Sequence, residues 1–148
     1  MTVGFFGHSE VVLTIEEHNK LKTLLINLLK NNDFVTFFLG GYGSFDYTCV
    51  KILKELKNQY SNFKSIFITP YTNETYLKNR YDKKLYDDCI YPPLERTPKK
   101  FTILKRNYWI VDNCDFLIFH ILYSFGGAVK IYEYAKRKNI ELINISNI

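Results

Sequence analysis

Short, continuous apolar runs alternate along the chain with longer stretches of helical period, and this alternation limits the fold more than any other feature. The runs "VGFFGH" (3–8), "FVTFFL" (34–39), "FKSIFIT" (63–69), "DFLIFHI" (115–121) and "ELINIS" (141–146) read as strands buried on both faces. Between them, "TIEEHNKLKTLLINLLKNN" (14–32) sets Ile15, Leu21, Leu24, Leu25, Leu28 and Leu29 along one helical stripe. It opens with Thr14 followed three residues later by Glu17, a capping box. "FDYTCVKILKELKNQY" (45–60) and "GGAVKIYEYAKRKN" (126–139) are two further helices. Thr97 and Pro98 supply an N-cap and an N1 proline for a helix running to about residue 113. Residues 70–98 are the least regular stretch, polar and rich in tyrosine, with "DDCIYP" as a short fourth strand.

Strands that alternate with helices predict an α/β fold, a three-layer Rossmann-like domain whose mostly parallel sheet is flanked by helices. Residues 1–148 are expected to form one such domain. Right-handed crossovers bring every strand's carboxyl end to one rim, and ligands bind there, near the switch in strand order.

Three glycine-bearing segments fall where strands should end. These are Gly7-His8-Ser9 after the first, Gly40-Gly41-Tyr42-Gly43-Ser44 after the second, and Gly126-Gly127 after the fifth. Glycine leaves backbone N–H groups unobstructed, and a following helix N-terminus favours anions, so the three together predict a phosphate-bearing ligand. Neither a Walker loop nor GxGxxG is present, which argues against a dehydrogenase-type dinucleotide. His8 is the foremost histidine candidate, directly after a strand on the rim. Tyr42, Phe45, Tyr71 and Tyr123 lie near strand ends, where a ring can stack on a base. The reading calls for no cofactor, and no histidine or cysteine pair has metal-ligand spacing.

The net charge of +5 suits an anionic ligand, but the lysines are spread along helix faces rather than gathered in a stripe. That distribution argues against nucleic acid as the partner. Three cysteines without CxxC spacing suit a reducing compartment, and no run approaches a membrane span, so a cytoplasmic protein is expected.

The segment "GGYGSFD" (40–46) resembles the glycine-rich loop of DprA- and YpsA-like proteins, with Asp46 on their aspartate and Ser44 in place of a glycine. "KRNYWIVDNCDFLIF" (105–119) resembles a stretch of the LOG phosphoribohydrolases, in which an arginine precedes an aspartate by nine residues. Arg106, with Asn107 beside it, and Asp115 keep that spacing. "GGAVKIYE" (126–133) keeps the paired glycines and the glutamate, Glu133, of the LOG phosphate loop, with Val129 and Lys130 in place of its third glycine and threonine. By these motifs the chain resembles the SLOG superfamily, to which all three groups belong.

The resemblance implies a Rossmann-like fold and, together with the strand-end segments, a ligand site built from Gly7, His8, Ser9, Gly40, Gly41, Tyr42, Gly43, Ser44, Phe45, Asp46, Arg106, Asn107, Gly126, Gly127 and Lys130. The first function it implies is sensing or sequestering a nucleotide-derived signalling molecule, such as an ADP-ribose derivative, as SLOG domains do in antiviral signalling. The alternative is a phosphoribohydrolase of nucleoside 5′-monophosphates, with Arg106 and Glu133 catalytic. A second alternative is DprA-like binding of single-stranded DNA. A homo-oligomer is also expected.

Overall fold

A computed structural model describes residues 1–146. Six strands, β1 (Thr2–Gly7), β2 (Val35–Leu39), β3 (Phe63–Ile68), β4 (Asp88–Ile90), β5 (Phe116–His120) and β6 (Glu141–Asn144), form one sheet in the order β4-β3-β2-β1-β5-β6. Every neighbouring pair is parallel, so the mostly parallel sheet is wholly parallel among the described residues. Five helices connect the strands: α1 (Ile15–Asn31), α2 (Gly43–Leu56), α3 (Glu74–Arg80), α4 (Thr102–Asp112) and α5 (Gly127–Arg137).

Strand pleating divides the apolar side chains between two cores. Phe5 and Phe37 face one, with Leu21 and Leu25 of α1 and Val50 and Leu53 of α2. Phe6 and Phe38 face the other, with Ile110 of α4 and Ile131 and Ala135 of α5. Chain order reverses direction at β1, which lies between β2 and β5, and this puts the topological switch point beside the end of β1.

Local chemistry sets the element ends. Thr14 accepts from the Glu17 amide at 3.0 Å while Glu17 accepts from the Thr14 amide at 2.9 Å, which completes the capping box. The helix expected from Thr97–Pro98 begins later. Pro98 leads into a 3-10 turn over Lys99–Phe101, and α4 proper starts at Thr102. Within the irregular stretch, α3 forms a seven-residue helix with no fully buried residue, so no apolar stripe announces it.

Candidate functional site

A cavity of about 540 Å³ opens at the carboxyl ends of β1, β2 and β5. Of the residues singled out above, Gly7, His8, Ser9, Gly40, Tyr42, Asp46, Arg106, Asn107, Tyr123, Gly126 and Gly127 line it. Segments far apart in sequence therefore converge at the switch point.

The others lie elsewhere. Gly41 and Gly43 border a separate hollow of about 320 Å³ with Arg80 and Tyr86. Ser44 donates its hydroxyl to the Val11 carbonyl at 2.7 Å, and Phe45 is buried under Gly7, where an added Cβ would lie 2.6 Å from its ring. Lys130 and Glu133 are exposed on α5, outside the cavity lining. The pairing of Arg106 with Glu133 across one ligand, on which the hydrolase alternative depends, is therefore not formed.

The loop Gly40–Ser44 is engaged by its own protein. Gly41 has φ +68 and its Cβ direction points into the Phe67 ring; Gly43 has φ +91 and abuts the Ser9 backbone. Both positions demand glycine for conformation and packing. The amides here are also occupied. Ser44 donates to the Ser9 carbonyl at 2.8 Å and Tyr42 to the Asp46 carboxylate at 3.2 Å, with Gly40 and Gly41 amides also directed at Asp46. Burial pushes the Asp46 carboxyl up to about 7, opposed by these amides and by the charge of Arg106. Asp46 thus ties up the N–H groups a phosphate would need.

Arg106 is likewise bound to the protein. It is 2% exposed, and Nη1 donates to the carbonyls of Gly40 at 3.0 Å and Ile68 at 2.8 Å, while Nε donates to Asn107 Oδ1 at 2.8 Å. The expected ligand anchor is a cross-brace that joins α4 to the ends of β2 and β3.

The free donors lie at α5. Gly127 has no φ in the left-handed region and no atom within 4 Å of its Cβ direction, so neither conformation nor packing explains the missing side chain. Gly126, the N-cap, meets only His8 Nδ1, at 3.9 Å. Among the described residues, the first helical amide of α5 with a backbone partner outside the first turn's orphan set is Lys130, which donates to Gly126 at 3.4 Å. The preceding amides, over residues 127–129, form the helix end that borders the cavity at Gly127 and Ala128.

Beside that helix end, Tyr123 and Phe125 stack at 5.4 Å and are 47% and 70% exposed. Phe125 escapes the sequence reading. Its position directly before the paired glycines, in a loop following a buried strand, is the signal that could have found it. His8 holds this loop: Nε2 accepts from the amides of Leu122 at 3.1 Å and Tyr123 at 3.3 Å, and the ring packs on Tyr123 at 4.7 Å. Nε2 must then be unprotonated, which leaves the other ring nitrogen as the donor. Burial, and secondarily His120, lower the His8 pKa.

A histidine titrating lower in the folded state contributes stability above its unfolded pKa, near 6.5, and loses that contribution as pH falls through the folded pKa. Hydrogen-exchange protection at the Leu122 and Tyr123 amides is therefore expected to hold above about pH 6.5 and to fall as the pH drops below it. Unchanged protection factors would show that the latch does not depend on neutral His8.

His120 is not a ligand residue. It is fully buried, with Nε2 3.0 Å from Glu17 Oε2 and its ring stacked on Phe45 at 5.7 Å. Asp115 accepts from the Thr2 amide at 2.8 Å, the act of a strand-start residue.

Fold and site together define a Rossmann-like domain with a cavity at its switch point. Among solved structures, the chain is similar to DNA processing protein A (DprA) from Helicobacter pylori, with a TM-score of 0.65 and 17% identity over 96% of this chain and 63% of that one. It is also similar to DprA from Streptococcus pneumoniae, with a TM-score of 0.64 and 16% identity over 95% of this chain and 48% of that one. The chain thus spans between about half and two thirds of the length of these neighbours. No protein-family model matches the sequence, and no curated protein matches it. The Rossmann-like architecture expected from the sequence is borne out as a fold.

The likeness also corrects one expectation. The Helicobacter pylori structure is described by its single-stranded DNA binding mode, so the argument against nucleic acid from dispersed lysines fails. The reason is physical: single-strand recognition draws on stacking as well as charge and does not require one basic stripe. No helix among the described residues is long and apolar enough to cross a membrane.

Proposed function

We propose that the rim cavity seats one nucleotide unit of a single-stranded nucleic acid. The observation that carries this reading is the adjacency, at one cavity, of the open α5 N-terminus and the exposed Tyr123–Phe125 pair. The helix end suits a phosphate and the aromatic pair suits a base, which are the two recurring halves of a nucleotide. The fold likeness to DprA supports the polymer as the form in which the nucleotide arrives.

Fluorescence anisotropy with labelled oligodeoxythymidylate, its duplex counterpart and mononucleotide competitors tests the proposal. The single strand is expected to bind more tightly than duplex, to gain affinity with length, and to weaken as salt rises. Tight binding of a mononucleotide with no gain on lengthening the strand would contradict it. That outcome belongs to the second reading, a free nucleotide-derived signalling molecule, which the cavity's volume of about 540 Å³ favours because it falls within the range of small-molecule sites. Under both readings Glu133→Gln leaves binding unchanged. A release of free base from nucleoside monophosphate that Glu133→Gln abolishes would revive the hydrolase.

A further inference from the structure

A further hollow, of about 550 Å³, lies beyond the ends of β3 and β4, walled by the irregular stretch that follows them. Tyr71, Tyr76 and Tyr91 line it with Asn73, Thr97 and Lys99. Arg106, in the wall of the first cavity, is coupled electrostatically to Tyr76, in the wall of this hollow. We infer that this groove is a second base-stacking subsite, taking further nucleotides of the strand whose first unit occupies the α5 cavity. The inference rests on the single-strand reading above.

Three features carry it. Both hollows open on the rim of a single parallel sheet, so a strand crossing from the end of β5 toward β4 meets them in turn. The groove is built before any ligand arrives. The Thr69 hydroxyl donates to the Tyr71 carbonyl at 2.7 Å and accepts from the Tyr71 amide at 3.3 Å, and Tyr71 packs edge-on to Tyr76 at 5.0 Å. Its chemistry suits bases: three phenol rings offer sequence-tolerant stacking faces, Lys99 offers one phosphate contact, and the single acidic lining residue, Glu95, is exposed. Tyr71 and Tyr91 are only partly buried, which leaves ring surface open to a ligand.

Competition anisotropy with oligodeoxythymidylates of about three and about ten nucleotides, near the span of a short single-strand site, tests the subsite. Wild-type protein is expected to favour the longer strand by at least about 30-fold. The double variant Tyr71→Leu/Tyr91→Leu, which keeps apolar bulk, is expected to lose about 10-fold or more for the longer strand and nothing for the shorter. Tyr71→Phe/Tyr91→Phe, which restores the rings, is expected to bind both as wild type does. A loss shared equally by both lengths, or no loss in the leucine variant, overturns the subsite. Failure of wild-type protein to bind either length overturns the single-strand reading and the subsite together. Wild-type binding of both lengths with one affinity, each tighter than a mononucleotide, overturns the subsite and leaves the α5 cavity standing.

Discussion

Arg106→Ala is expected to lower the free energy of unfolding by about 3–5 kcal/mol, the cost of breaking a buried charged network by removing one member. The guanidinium is 2% exposed and serves the carbonyls of Gly40 and Ile68 and the Asn107 side chain. Its loss leaves two strand-end carbonyls without a donor and removes the charge that favours ionised Asp46. Arg106→Lys is expected to recover little of this, because one ammonium on a flexible stem cannot reproduce donors pointing in three directions. Guanidinium unfolding followed by circular dichroism reads the difference. Near-wild-type stability with lost nucleic-acid binding would instead assign Arg106 to the ligand.

Gly127→Asp is expected to do the reverse. The position has open space around its Cβ direction, and an aspartate in the first turn of α5 is favoured by the helix dipole, so stability should change by less than about 1 kcal/mol. Oligonucleotide affinity should fall by at least about 30-fold, since a fixed negative charge a few ångströms from a phosphate is worth several kcal/mol in a partly desolvated site. Gly127→Asn adds the same bulk without the charge and is expected to lose much less. Equal losses for the two variants, read by anisotropy at one salt concentration, would show that space rather than charge governs the site.

The fold was legible in the sequence where one physical signal dominated. Strands such as Phe116–His120, apolar on both faces, and α1, with its stripe and capping box, follow from burial and capping alone. The helix α3 was not legible because only Tyr76 and Leu77 lean on the core, both half-buried, so its sequence carries no apolar period. The convergence of Gly7, Gly40, Arg106 and Gly126 on one rim was also readable, since parallel topology dictates it.

The division of labour within that rim was not readable. Whether a glycine is empty for a ligand or for a neighbouring ring depends on contacts made across long sequence separations, as between Gly41 and Phe67. Asp46 reads equally well as a ribose ligand or a helix-start carboxylate until its amide partners are known. The same holds for Arg106, whose carbonyl partners lie 66 and 38 residues away.

Amide chemical-shift mapping during titration with a single-stranded oligonucleotide tests the central claim most directly. The largest shifts are expected on Gly7, Ser9, Tyr123 and the first turn of α5 from Gly127 onward, with Gly41 and Gly43 barely moved. Shifts centred on the Gly41–Gly43 loop, with the α5 terminus silent, would contradict it.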